Sequence, residues 1–379
     1  MLYTRSHASW YSVGIDVGAS ACWMSIVDPQ GVVVRTPYQF NPVCVQSIHA
    51  AILEIKKAGK NAPSHIRIFM ESTGNYPFQL SCYLQWKGFD VRIINSLITH
   101  STMNMAIRKA KTDKIDSYRI ALLGLHPDLK TSKPASPAWS SIRNLIRLYH
   151  DVKQNHGKAV SKLRNTLVAV FPQYLPVFSN IAGATSLAVL KTYDTPNKIL
   201  QADSEELCQV LQTAARGHLK WVPGWCEKLH AAAADAVTLN GPDTAYWSLS
   251  IRFLIESIEA FNTQIKDITA ALTALLKQHA DTAWVKQNEL VCSIPGTSPM
   301  TAATLLCEMG NIQRFKNAHQ LVAYFGLDPS VSQLGRKKGD RQHISKRGSS
   351  LARKIIFMIA ISNIRKKANG QATNPVLYA

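Results

Sequence analysis

Four acidic side chains in the first third of the chain stand where apolar runs end or where a helix would begin. Asp16 interrupts Val13-Gly14-Ile15-Asp16-Val17-Gly18. Glu71 closes Ile66-Arg67-Ile68-Phe69-Met70-Glu71, and Asp113 and Asp116 stand three apart in Lys111-Thr112-Asp113-Lys114-Ile115-Asp116. A carboxylate inside a strand of Val, Gly and Ile is costly unless a cation or a partner meets it. Strand ends and one helix face can gather such groups, and a divalent cation among gathered carboxylates serves chemistry on phosphates. Two ions ~4 Å apart would activate the attacking oxygen and stabilise the leaving oxygen of a phosphodiester. Each acid also has a plainer reading. Asp16 and Glu71 would be strand-end acids facing water, and the Asp pair an acidic first turn favoured by the helix macrodipole. Arg108, Lys109 and Lys111 would hold an anionic backbone beside the pair, or form a solvated cluster.

The elements that would position these groups come from composition and periodicity. The 379 residues allow two or three domains, and 46% hydrophobic with 18% charged content describes a globular chain. A net charge of +19, from 43 Lys+Arg against 24 Asp+Glu, favours polyanion partners, nucleic acid first. The seven cysteines form no CxxC pair and no zinc spacing with histidine, so they read as small buried hydrophobes in a reducing compartment. No apolar stretch is long enough to cross a bilayer and no signal peptide opens the chain, which predicts a cytoplasmic protein without membrane contact.

Residues 10–135 alternate strand and helix signals. Strands are predicted over 12–17 and 21–27, with a short third at 31–34, then a helix over 45–58. A strand over 66–71, a helix over 77–87 and a strand over 90–95 follow. This order matches a ribonuclease H-like α/β core, although other α/β folds accommodate most of it. Residues 136–285 read as all-α. A basic amphipathic helix over 139–170 carries Arg143, Arg147, Lys153, Lys158, Lys162 and Arg164. Ile251, Leu254, Ile258, Phe261, Ile265, Ile268, Leu272 and Leu275 then step by three and four, the seam of a coiled coil. That seam would serve a dimer contact or an intramolecular hairpin with the 139–170 helix. Residues 286–379 form a further helical domain. Its Ile294-Pro295-Gly296-Thr297 turn resembles a helix-hairpin-helix element, in which Gly296 would present backbone amides to a phosphate. The basic loop holding Arg336, Lys337, Lys338 and Arg341 leads to Lys346, Arg347 and Gly348. Interleaved glycines favour backbone contact with nucleic acid over a merely solvated face.

Together the Gly14-Ile15-Asp16 strand, the Glu71-Ser72-Thr73-Gly74 corner, the Lys111–Asp116 segment, Ile294-Pro295-Gly296, Gly326-Leu327-Asp328-Pro329 and Ile344-Ser345-Lys346-Arg347-Gly348 resemble the DEDD transposases of bacterial insertion sequences. That family includes bridge-RNA-guided recombinases, with Piv/MooV-type DNA invertases as relatives, and the resemblance covers nearly the whole chain in order. It implies a RuvC-like domain binding Mg²⁺ through Asp16, Glu71, Asp113 and Asp116, and a coiled-coil middle used for assembly. It also implies a C-terminal transposase domain completing the site in a dimer or tetramer. DNA at the element ends and target would be the substrate, with a structured RNA guiding site choice and a C-terminal serine attacking DNA. Two departures bear on activity. The family's Gln-Ser-Gly-like triplet reads Gln333-Leu334-Gly335 here, and leucine has no nucleophilic group. Ser332 is the nearest hydroxyl, and in an extended loop it shares the side of Leu334. The chain also stops at Asn374-Pro375-Val376-Leu377-Tyr378-Ala379, where relatives continue into another helix.

These departures keep a catalytically impaired nucleic-acid-binding remnant as the second reading. An actin-like sugar kinase would share the Gly-Ile-Asp strand turn but lacks a second phosphate loop and leaves the charge unexplained. A hydrolytic junction resolvase would share the carboxylates without needing the C-terminal domain.

Overall fold

The computed structural model describes residues 8–59, 63–72, 74, 76–96, 98–99, 112–134, 136–215, 219–237, 244–279, 281–329, 333–334, 337–338, 343–366 and 369–378. The chain divides into two compact units, Met1–Ser140 and Ser141–Ala379. The first is mixed α/β and the second helical apart from a two-stranded hairpin.

The first unit is built on one six-stranded sheet. Its strands are β1 (Tyr11–Val17), β2 (Cys22–Val27), β3 (Val33–Phe40), β4 (Ile66–Glu71), β5 (Asp90–Ile94) and β6 (Thr131–Ser132). They lie in the order β3-β2-β1-β4-β5-β6. β1, β2 and β3 form an antiparallel meander, while β4 runs parallel to β1 and β5 parallel to β4. The C-terminal ends of β1, β4 and β5 therefore share one edge. Strand alternation separates the faces. Val13, Ile15 and Val17 of β1 join Ile68 and Met70 of β4 in a core with Ile48, Ile52 and Ile55 of α1 (Val45–Ala58) and Leu80 and Leu84 of α2 (Tyr76–Trp86). The other face of β1 carries Ser12, Gly14 and Asp16, and α3 (Asp113–Leu123) lies against it. β3 runs longer than the short strand expected at 31–34. It is a mostly exposed edge, so it lacks the alternation that marks a strand, and Pro37 is tolerated there.

In the second unit α4 (Pro137–Val170) and α9 (Thr244–His279) are the long helices. Between them lie α5 (Ala184–Thr192), α6 (Pro196–Gln201), α7 (Ser204–Ala215) and α8 (Val222–Ala234). Leu163 and Leu167 of α4 pack with Phe171, Tyr174, Leu211, Leu229 and with Ile251, Ile255 and Ile258 of α9. The first half of the expected α9 seam is thus buried inside this core, where Ile255, off the seam, is also fully buried. Cys208 of α7 and Cys226 of α8 form a disulfide with Cα atoms 6.3 Å apart. That corrects the expectation of seven free thiols: the packing of two short helices juxtaposes cysteines that sequence spacing leaves unrelated.

A second core holds the C-terminal elements α10 (Thr282–Cys292), α11 (Pro299–Met309), α12 (Ala318–Tyr324), the hairpin β7 (Gln333–Leu334) and β8 (Lys337–Lys338), α13 (Ser350–Asn363) and α14 (Pro375–Tyr378). Leu305, Leu306, Met309, Phe325, Ala352 and Ile355 are its buried side chains. Among the described residues no helix is long and apolar enough to cross a membrane.

Candidate active site

Register relates two of the first unit's acids. Pairing runs from Tyr11↔Ile66 to Ile15↔Met70 in parallel, so one further step sets Asp16 beside Glu71 at the strand ends. Paired residues of a parallel ladder point to the same face. That face is the α3 face. The Ser12 hydroxyl donates to the Ala121 carbonyl at 2.6 Å, and Ser25 bonds Ser117 at 2.8 Å. Gly14 fits because it has no side chain: a Cβ there would collide with the backbone of Ser117 and Ala121. Residues 12 and 14 thus meet 121 and 117, and the same progression brings residue 16 toward the first turn of α3. Lys114 confirms the direction, since its ammonium lies 4.7 Å from the ring centroid of Trp23, the cross-strand partner of Asp16. Small residues at 12, 14, 25 and 117 let the helix come close enough for this.

The four acids differ in exposure. Asp16 and Glu71 are half-buried and Asp113 is exposed, whereas Asp116 is 5% exposed. Asp116 accepts from the Arg119 guanidinium at 3.3 Å. Thr112 caps α3, its hydroxyl accepting from the Ile115 amide at 3.4 Å, which fixes the turn carrying both aspartates. The convergence is one of backbone positions and faces. Among the described residues no group of three or more His, Cys, Asp or Glu side chains is arranged to hold a metal ion. The donor chemistry nonetheless suits a hard divalent cation, which takes oxygen ligands from carboxylates. The Cys22 thiol feels the Asp16 charge but offers no thiolate. Burial pushes it up to about 12, against a hydrogen bond from the Gly18 backbone, and Asp16 raises it further. Arg108, Lys109 and Lys111 lie outside the described residues.

In the second unit two expected motifs clasp each other. The Lys346 amide donates to the Gly326 carbonyl at 3.0 Å, and the Ser345 amide to the Asp328 carbonyl at 2.8 Å. The Ser345 hydroxyl donates to the Asp328 carboxylate at 2.6 Å. A Cβ at Gly326 would collide with Arg347, and one at Gly348 with the Tyr324 carbonyl, and both glycines have positive φ. Arg353 binds the carbonyls of Phe325, Arg347 and Gly348 at 3.0–3.1 Å. Lys346 and Arg347 remain exposed, with no carboxylate within ion-pair distance among the described residues. Gly296, with φ +79°, has a packing role beside the expected phosphate role, since a Cβ there would sit 2.7 Å from Ser362 Cβ. Lys337 pairs with Leu334 and Lys338 with Gln333 across the β7–β8 hairpin. Ser332, Arg336 and Arg341 lie outside the described residues.

Sequence reasoning missed a buried pair. Arg147 of α4 donates from Nε and Nη2 to both carboxylate oxygens of Glu308 in α11, at 2.8 and 3.0 Å, and Glu308 is 4% exposed. Arg143 donates to the Cys307 carbonyl at 2.9 Å. Burial alone would raise the Glu308 pKa, but the hydrogen bond and charge of Arg147, with a bond from Ser349, hold it below the usual carboxylate range. His150 lies 3.0 Å from the Thr304 hydroxyl, and burial, then Lys354 and Lys153, lower its pKa. The available signal was Glu308 interrupting Leu305-Leu306-Cys307-Glu308-Met309, the same anomaly that marked Asp16.

A DEDD transposase family of the IS110 type matches residues 13–172, and the transposase family IS116/IS110/IS902 matches residues 288–374. The chain belongs to the DEDD transposases of insertion sequences. The uncharacterized 44.8 kDa protein of insertion element IS116 from Streptomyces clavuligerus is 22% identical over 94% of this chain and 85% of its own length. The uncharacterized 43.6 kDa protein of insertion element IS110 from Streptomyces coelicolor is 22% identical over 67% of this chain and 61% of its own length.

Proposed function

We propose that the chain cuts and rejoins DNA, with Mg²⁺ held by Asp16, Glu71, Asp113 and Asp116 in a RuvC-like domain over residues 10–135. What supports this reading is the parallel register, which ends at Ile15↔Met70, one residue before Asp16 and Glu71, with Ser12 and Gly14 of β1 against α3. Bound Mg²⁺ supplies Lewis-acid activation of the attacking oxygen and neutralises charge on the leaving oxygen. The chain's own residues do the rest. Arg119 orients Asp116, Thr112 fixes the turn bearing both aspartates, and Lys114 holds positive charge over Trp23 beside Asp16. Exposed Lys346 and Arg347 contact the DNA backbone, with Arg336, Lys337, Lys338 and Arg341 of the adjoining loop and the amides around Gly296. The helical segment 136–285 serves assembly into a dimer or tetramer, and 286–379 is the transposase domain. Family resemblance supports that assembly, the guiding RNA and a cytoplasmic setting.

The test is joining of element-end DNA to target DNA with Mg²⁺ present. Asp16→Asn and Glu71→Gln are each expected to lower joining by about 10²–10³-fold while duplex binding persists. Full joining by either variant would sink the metal-site reading. Leu334 favours a second reading, a chain that binds DNA but no longer joins it, because the expected nucleophile is replaced by an alkyl group. Joining only after Leu334→Ser would establish that reading. Loss of joining in Ser332→Ala, in a chain otherwise active, would make Ser332 the attacking hydroxyl.

A further inference from the structure

A cavity of about 550 Å³ opens in the helical unit between α4 and the start of α13, and no residue of the expected metal site borders it. Arg147, His150 and Asp151 line it from α4, and Ser349, Ser350 and Lys354 from α13. Glu308 fixes the Arg147 guanidinium through Nε and Nη2, leaving Nη1 without a hydrogen-bond partner among the described residues. Lys354 is exposed, and among the described residues no carboxylate lies within ion-pair distance of it. Two cations on different helices thus face one space, one of them pre-oriented. The Ser349 hydroxyl accepts from the Ala352 amide at 3.1 Å, so the Ser350 and Leu351 amides of that first turn have no intrahelical partner. A close turn at Gly348 delivers them, since a Cβ there would strike the Tyr324 carbonyl. Asp151 is the opposing charge on the lining and is exposed.

We propose that this cavity seats a phosphate group, gripped by the Arg147 fork and the Lys354 ammonium and capped by first-turn amides of α13. The volume exceeds what a phosphate ion alone would fill, so it suits a phosphate within a sugar–phosphate backbone. The inference rests on the DNA-joining reading only for the source of that phosphate.

The full chain is titrated with inorganic phosphate at constant ionic strength, with chloride as reference, following thermal stabilisation. Lys354→Gln is expected to weaken phosphate binding about tenfold, and Asp151→Asn to strengthen it several-fold. Both changes sit at exposed positions, and Arg147→Lys, which keeps the charge but loses the fork, is expected to weaken binding as well. Unchanged phosphate affinity in Lys354→Gln and Asp151→Asn, or shifts of the same sign in both, overturns the proposal. A second arm follows duplex binding against salt, where Lys354→Gln should reduce the slope of log K on log salt by about 1. A phosphate response with an unchanged DNA slope identifies a free phosphate as the ligand, keeping the site. No phosphate response alongside normal DNA joining removes the cavity and leaves the joining reading intact. A phosphate response without DNA binding does the opposite.

Discussion

The Asp16 end of the sheet and the Glu308 pair of the helical unit both place carboxylates among basic groups, yet the two are held differently. Glu308 is almost wholly buried and answered on both oxygens by one guanidinium. Asp16 and Glu71 are half-exposed and brought together by strand pairing, with α3 laid over them at the closest distance a glycine permits. A buried acid with a dedicated arginine serves the fold, because removing the arginine strands the Glu308 charge in low dielectric. Asp16 and Glu71 sit half-exposed at strand ends, so burial does not seal them from solvent. The contrast teaches that acidity in an apolar run does not by itself fix a carboxylate's surroundings: Glu308 is sealed against one guanidinium, whereas Asp16 and Glu71 stay half-exposed.

That contrast is open to direct attack. The largest stability effect should come from Glu308→Ala, about 3 kcal/mol lost, the low end for a broken buried pair because half of Arg147 faces water. Denaturant midpoints measure it. Asp16→Asn, in the same experiment, should stay within about 0.5 kcal/mol of the parent. If the two costs came out equal, or reversed, the distinction would fail. Gly14→Ala sharpens the point, since it touches no charge. Lifting α3 from β1 should cost about 1–3 kcal/mol and also lower DNA joining, because the Asp113/Asp116 turn moves away from Asp16. The smallest effect is a pH trend. The folded Glu308 pKa is depressed, so its contribution is fully present above the unfolded carboxyl value of about 4.3 and is lost as pH falls through the folded value. The melting-temperature gap between parent and Glu308→Gln should therefore narrow on acidification below that value. A gap that widens would contradict the assignment.

Much of the first unit was legible because its signals are local. Ile66, Ile68, Phe69 and Met70 make a short apolar run, α1 begins and ends as its apolar spacing predicts, and both Asp16 and Glu71 fall near strand ends. β3 was underestimated because an exposed edge carries no alternation. Glu308 showed as an acid in an apolar run, but its pairing with Arg147 was not legible. The partners are 161 residues apart, and helical periodicity shows which face is buried without naming what it meets. The α9 seam left its partner open. Its spacing describes an apolar stripe, but only the fold shows that Ile251 and Ile258 are covered by the chain's own helices. The Cys208–Cys226 bridge depended on the approach of α7 and α8, which neither helix encodes alone.

The mutual grip of residues 326–328 and 345–346, continued by the Pro329↔Ile344 bridge, gives the intervening cationic stretch fixed points of departure and return. Lengthening it outside the β7–β8 pairs changes little beyond closure entropy, about 0.6 kcal/mol per doubling. Evolution can thus rewrite the charge and span between Pro329 and Ile344 at small thermodynamic penalty.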